Sequence, residues 1–582
     1  MRIYFSSLMA FFLTGVVSSQ ILFEEQASQL GADVIYGITA LGGGISFFDY
    51  NQDGLDDITV TSEEGTNVFF LKNMGGTFEI DASISVENLQ RTKQVLWVDI
   101  NNNGHYDLHL TSDTGASRLY LNDGNLNFTD ITDSSGLPLE NHYTFGAAWG
   151  DIDNDGFLDL YLSNRSNGIA DRLYRNNGDN TFTDVTQSAG LTSDAYESFC
   201  ASFLDYNNDG FQDIYIAIDR FDTKNILYKN NGDGTFTDVS DISGTGLFMG
   251  AMSTTIGDYN QDGRLDIYVT NSYEDFIPNT TVGNALLENN GDGTFTNVAD
   301  ITGTTFNSVG WGAIFLDANN NTDTDIYVSG EFFDNPTYLP SAFYQNQGDN
   351  TYIIPENIGF EDDNKRSFAN ALGDVDNDGY PEMVVVNDYN EPIFLWKNLS
   401  NQTNNWLKVK LTGTVSNRQG IGSWIEIAVN EEKQYNYTVL GEGYLGQNSA
   451  YEFFGIGESA SIDYVKVTWL SGIVDYIENP AINEHMTIVE GEHPLSAMDF
   501  NSAITFQVYP NPSKDKTISL KISENKPGDF LLDVSTVYGS IVLSKKITEP
   551  DTLLSLRGMS SGVYFFTLSN NQTRVTKKVV LD

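Results

Sequence analysis

One nonapeptide recurs along this chain, and it limits the possible folds more than any other feature. Asp49-Tyr-Asn51-Gln-Asp53-Gly54-Leu55-Asp-Asp57 returns as Asp99-Ile-Asn101-Asn-Asn103-Gly104-His105-Tyr-Asp107 and as Asp151-Ile-Asp153-Asn-Asp155-Gly156-Phe157-Leu-Asp159. A fourth copy carries Asp205, Asn207, Asp209, Phe211 and Asp213, and a fifth Asp258, Asn260, Asp262, Arg264 and Asp266. A degenerate sixth keeps Asp317, Asn319, Asn321 and Asp325, and the seventh holds Asp374, Asp376, Asp378, Tyr380 and Glu382. Their first residues lie 50, 52, 54, 53, 59 and 57 apart. A period of this length marks an array of supersecondary units stacked on one another.

Each copy sits in the same local context. A small-plus-aromatic run such as Gly146-Ala-Ala-Trp149-Gly150 precedes it, and an alternating run such as Leu158-Asp-Leu160-Tyr-Leu162 follows, with the period of two of a strand. Then come Arg172-Leu-Tyr-Arg175, the turn Asn176-Asn-Gly178-Asp179-Asn180, and Thr181-Phe182-Thr-Asp-Val185. Asn-Gly and Asp-Gly supply the positive φ of tight hairpins. The unit reads as four short strands, one blade of a propeller. The expected fold is therefore all-β: a seven-bladed β-propeller with calcium loops, followed by two small β domains. A stray copy of the fourth strand, Leu22-Phe23-Glu24-Glu25, precedes the first loop, and none follows the seventh. Residues 21–27 are expected to complete the seventh blade and so hide both edges of the ring.

Hard oxygen ligands at positions one, three, five and nine, a backbone carbonyl at seven and Gly at six describe a calcium loop. The carbonyl position falls on Leu55, His105, Phe157, Phe211, Arg264 and Tyr380. The closing carboxylate comes at nine rather than the twelve of an EF-hand, and strands flank the loop. Six to seven calcium ions are expected. Loop two has only Asp99 and Asp107 as carboxylates and should bind most weakly. Loops three and seven have four carboxylates each. Loop six places the β-branched Thr322 where positive φ calls for Gly, and its occupancy stays open.

The charge balance narrows the partners. There are 80 Asp+Glu against 30 Lys+Arg, a net charge of −50, which repels phosphate backbones and excludes nucleic acid and anionic membranes as partners. Apolar residues still make up 40%, so the chain can bury a core. Residues 1–19 have one early Arg, a short apolar run and small residues at the end, as a signal peptide does. The rest holds no apolar run long enough to span a bilayer, so the mature protein is expected to lack a transmembrane segment. Cys200 is the sole cysteine and forms no internal disulfide. No His-Glu-x-x-His motif or phosphate loop is present, so no catalytic or organic-cofactor residues are assigned. His105 and His109 do not share a helical face and are not expected to bind zinc.

At these loops the chain resembles the FG-GAP/VCBS repeat family, propellers related to integrin α-subunits, and that resemblance implies calcium at the positions named. Asn405-Trp406, Ser416-Asn417-Arg418-Gln419-Gly420, Gly443-Tyr444-Leu445-Gly446-Gln447-Asn448, Phe454-Gly455-Ile456-Gly457 and Trp469-Leu-Ser471-Gly472 make residues 403–491 similar to the ASPIC/UnbV domain. That domain follows such repeats in the cartilage acidic protein family; Leu470 replaces its usual Pro. Tyr509-Pro-Asn-Pro512, Gly562-Val-Tyr564 and the basic end Lys577-Lys578 make residues 503–582 resemble a type IX secretion C-terminal sorting domain. The resemblance implies passage through the periplasm and outer membrane, contact with the secretion machinery, and a secreted or cell-surface location. The expected organisation is signal 1–19, propeller 20–402, ASPIC/UnbV-like domain 403–491, linker 492–502 and sorting domain 503–582. The expected function is non-catalytic binding of an extracellular glycan or protein, as in adhesion. The alternative is a polysaccharide-degrading enzyme or its accessory lectin, because a catalytic pair of carboxylates is not recognisable among eighty.

Overall fold

A computed structural model describes residues 21–582 apart from 166–167, 273–279, 333–337, 362, 389, 496–505, 515, 523–529, 537–540, 570–573 and 582. The expected signal peptide lies outside the described residues. The chain divides into two compact units, one ending at Pro494 and one starting at Leu495.

The first unit is built from repeated antiparallel meanders. Their first strands are Ile45–Phe48, Thr92–Val98, Thr144–Gly150, Ser198–Leu204, Met249–Gly257, Val309–Leu316 and Ser367–Gly373. These strands are almost wholly buried, and small residues make that possible: a Cβ on Gly146 would lie 2.4 Å from the Phe199 carbonyl oxygen of the next first strand. Each packs against the first strand of the following meander, and Ser367–Gly373 returns to Ile45–Phe48. The fourth and fifth meanders are also joined through the pairs Asp219–Gly250 and Arg220–Met249. Fourth strands are short, such as Phe182–Asp184, and the seventh meander takes its fourth strand from the start of the chain. There Phe23, Glu24 and Glu25 pair antiparallel with Asn398, Lys397 and Trp396.

Every third strand ends in an Asn: Asn73, Asn122, Asn176, Asn230, Asn289, Asn346 or Asn398. In five meanders its side-chain amide also bolts neighbours together by donating to the second residue of the preceding loop. Asn73 reaches the Val375 carbonyl, Asn176 Ile100, Asn230 Ile152, Asn289 Tyr206 and Asn398 Ala318, each at 2.8 Å.

Residues 401–494 belong to this same unit. Trp406–Thr412 pairs with Tyr451–Gly455 and, in parallel, with Glu484–Val489; a second sheet runs Glu432–Tyr437, Trp424–Val429, Tyr464–Thr468, Val474–Glu478. Leu407, Val409, Ile425, Val467 and Trp469 fill the core between them. Residues 438–449 leave this sandwich and enter the centre of the ring. The Trp149 amide donates to the Leu440 carbonyl (3.0 Å), the Gly443 amide to Thr254 (2.9 Å), and Gly446–Gln447 adds in parallel to Ile45–Ser46. Tyr444 is fully buried there, its ring 4.8 Å from Trp311 and 5.5 Å from Phe199. A Cβ on Gly446 would lie 2.4 Å from the Asn370 carbonyl oxygen, so this segment needs glycine to fit.

In the second unit, the strands Phe506–Tyr509, Thr517–Ile522 and Asp551–Ser555 form one sheet. Ile541–Ile547, Phe530–Thr536, Gly562–Ser569 and Arg574–Leu581 form the other, over a core that includes Phe506, Leu520, Leu532 and Phe566.

Candidate metal centres

Each nonapeptide joins a first strand to a second, and each second strand starts at position nine, as Asp57–Val60 and Asp159–Asn164 do. The position-one carboxylate folds the loop around itself. One oxygen accepts the amide N–H of position five at 3.0–3.2 Å, and the other that of position six at 2.7–3.0 Å, in all seven copies. The N–H of position seven donates to the side chain of position five, as Phe157 does to Asp155 at 2.9 Å. Position nine is anchored from the third strand: Asp57, Asp107, Asp159, Asp213, Asp266 and Asp325 accept the N–H of its terminal Asn at 2.7–2.9 Å, and Glu382 accepts that of Asn398 at 3.4 Å. Position four takes positive φ throughout, at Gln52, Asn102, Asn154, Asn208, Gln261, Asn320 and Asn377. Loop six keeps the shape even with Thr322, at φ +86°.

Three carboxylates come together in each of two loops among the described residues. Ligand atoms of Asp151, Asp153 and Asp159 lie within 4.8 Å of one another, as do those of Asp374, Asp376 and Glu382. Burial pushes the carboxyl of Asp151 up to about 7, and that of Asp107 likewise to about 7. Asp57 rises to about 8 and Asp266 to about 9, with burial again the main cause and neighbouring aspartates adding to it. A bound cation would hold such clustered carboxyls in their ionised form. Loop five supplies a direct test of fit: Asn260 Oδ1 and Asp266 Oδ2, at positions three and nine, are buried without a hydrogen-bond partner. Two orphaned oxygens in one loop of hard donors suit a divalent ion. When bound, calcium would supply charge neutralisation and a fixed centre for the turn; the residues at positions one, three, five, seven and nine would hold it.

Charge counting along the sequence missed the cations that lean on these loops. Lys72 lies 3.1 Å from Asp53 and Lys229 3.3 Å from Asp209. In loop seven, Lys397 contacts Asp376 at 2.9 Å and Glu382 at 2.5 Å, while Lys408, from residues 401–494, reaches Asp374 at 3.0 Å. The side chains of His105 and Phe157 lie against Gly124 and Gly178. His109 is buried edge-on to Trp149, and burial depresses its pKa to about 3.

A cavity of about 620 Å³ opens between residues 38–41 and the fourth to seventh meanders. Leu41, Met252, Val309, Trp311 and Phe368 line it, and Tyr444 lies beneath with its hydroxyl donating to the Leu41 carbonyl at 2.5 Å. Its carboxylates are Asp219, Glu331 and Asp388; Asp219 pairs with Arg165 at 2.6 Å and Glu331 with Arg366 at 3.2 Å. Sequence analysis did not anticipate this cup. Tyr143 is 37% exposed, whereas Tyr196 packs against the core.

The first four oxygen loops fall in a stretch that matches a known repeat family. The FG-GAP-like repeat model matches residues 49–110, 99–162, 159–216 and 205–269. "ASPIC and UnbV" matches 413–495, and "Secretion system C-terminal sorting domain" matches 507–582. The chain thus carries FG-GAP-like repeats, an ASPIC and UnbV segment and a type IX sorting domain, and is exported to the cell surface or beyond. Among curated proteins it is similar to cartilage acidic protein 1 of Xenopus tropicalis, 23% identical over 301 residues, 49% of this chain and 44% of that protein. Similar solved structures include PorZ, a surface component of the type IX secretion system of Porphyromonas gingivalis (11% identity, 94% of this chain and 75% of that one, TM-score 0.32). Another is the extracellular domain of the putative one-component system BT4673 of B. thetaiotaomicron (9% identity, 97% and 58%, TM-score 0.36). No helix among the described residues is long and apolar enough to cross a membrane.

Proposed function

We propose that the seven meanders are the blades of one closed β-propeller whose loops hold six to seven calcium ions. On this reading the protein is a non-catalytic surface or secreted protein that binds an extracellular glycan or protein through the central cup. The propeller occupies residues 20–402, the ASPIC/UnbV-like domain 403–491 and the sorting domain 503–582, after a signal peptide 1–19. The observation that carries the reading is the recurrence of one oxygen geometry in all seven loops, together with the orphaned oxygens of loop five. The cup favours binding over hydrolysis, because Asp219 and Glu331 are each already paired with an arginine.

Extracellular calcium modules have dissociation constants of about 10⁻⁴–10⁻³ M, so at millimolar calcium each site adds roughly 0.4–1.4 kcal/mol. Six sites together add about 2.5–8 kcal/mol on the same basis. Chelation is therefore expected to lower the melting temperature by several degrees, and elemental analysis of the dialysed protein should find six to seven calcium ions. A melting curve indifferent to chelator, with no bound calcium, refutes the metal reading. A glycan array, run beside an assay for reducing-sugar release, separates the binding reading from the enzymatic one.

A further inference from the structure

A belt of side-chain hydrogen bonds links the loops to one another around the ring. In each link the position-four amide of one loop donates to the position-six glycine carbonyl of the next. Gln52 donates to Gly104 at 2.9 Å, Asn102 to Gly156 at 2.7 Å, Asn154 to Gly210 at 2.9 Å and Asn208 to Gly263 at 3.2 Å. Asn320 donates to Gly379 at 3.0 Å, and Asn377 closes across the chain ends to Gly54 at 2.8 Å. The belt breaks once, between loops five and six. Gln261 there gives its amide to the Asp258 carbonyl (3.2 Å) and the Thr324 hydroxyl (3.4 Å), and its carbonyl accepts from the Tyr435 amide (2.6 Å). The belt is therefore a linear chain that begins at loop six, passes through loops seven and one, and ends at loop five.

We propose that these position-four side chains are positioning residues that couple neighbouring metal loops, so that calcium binds cooperatively along the chain. The inference rests on the reading of the loops as calcium sites. Its mechanism lies in the peptide between positions six and seven. That peptide accepts the incoming amide on its carbonyl, and its N–H donates to the position-five oxygen, at 2.8–3.2 Å in all seven loops. It thereby orients the position-five donor and the adjacent position-seven carbonyl, two of the expected ligands. Position four lies between ligands three and five of its own loop, so an ion that fixes those two also fixes the amide. Ordering passes from each loop to the next through one hydrogen bond to a shared peptide.

The test is calcium titration of the full chain by calorimetry after chelation. Asn154 sits mid-chain, is not itself a ligand position, and has φ +57°. Asn154→Gly keeps that backbone conformation and deletes the amide, and Asn154→Gln should restore the link, since Gln52 makes it in loop one. The wild type is expected to bind with a Hill coefficient clearly above 1. Asn154→Gly should bind the same number of ions with a flatter isotherm, and Asn154→Gln should recover the steepness. A wild type with a Hill coefficient of 1, or an Asn154→Gly isotherm that overlays the wild type, overturns the coupling while leaving the metal sites in place. Absence of any calcium binding overturns both readings together.

Discussion

Tyr444 allows the seating of residues 438–449 in the ring to be measured. Its side chain is fully buried between Trp311 and Phe199, and its hydroxyl donates to the Leu41 carbonyl at 2.5 Å. Tyr444→Ala deletes an aromatic ring from a site walled by other rings, which typically costs about 3–5 kcal/mol. The lost hydrogen bond adds about 1 kcal/mol. Tyr444→Phe isolates that second contribution at about 1 kcal/mol. Unfolding entropy of about 2 cal/mol/K per residue makes 1 kcal/mol worth about 1 °C in a unit of this length. Differential scanning calorimetry in calcium should therefore show a fall of about 4–6 °C for Tyr444→Ala and about 1 °C for Tyr444→Phe. Limited proteolysis should also cut Tyr444→Ala faster within residues 438–449. If both variants melt with the wild type and the segment is cleaved equally fast in all three, it does not occupy the centre of the ring.

Two further predictions concern strain and charge. Thr322 sits at φ +86°, a conformation that costs a β-branched residue about 1–2 kcal/mol. Thr322→Gly should raise the melting temperature by about 1 °C, and an unchanged or lower value would show that the loop is unstrained. Glu452 lines a cavity of about 120 Å³ with Glu442, and burial, followed by the Glu442 charge, pushes its pKa up to about 8. The native state keeps this proton between about pH 4.5 and 8 while the unfolded chain has lost it, so the contribution is full below that window and lost as pH rises through 8. Glu452→Gln copies the protonated form. Its melting temperature should match the wild type near pH 4.5 and exceed it increasingly towards pH 8–9; a pH-independent difference would contradict this account.

The repeats, their strands and the oxygen-rich loops were legible because their determinants are local. Nine consecutive residues with Gly at position six form the same turn wherever they occur, and hydrogen bonds spanning four or five residues hold it. The completing strand at Phe23–Glu25 was legible for a related reason, since its sequence repeats that of the other fourth strands.

Residues 443–448 were visible only as a family marker, and the structure seats them among the first strands, with Tyr444 against Trp311 more than 100 positions away. Lys408 beside Asp374, the cup above Tyr444 and the belt through Gln52 and Asn377 likewise join residues that no spacing rule relates. The amino-acid sequence by itself determined the period, the strands and the oxygen-rich turns, because those depend on near neighbours and on which residues tolerate positive φ. Only the tertiary structure decided what fills the centre and which loop touches which. Those contacts depend on how one meander packs against another, which brings together groups that the chain holds far apart.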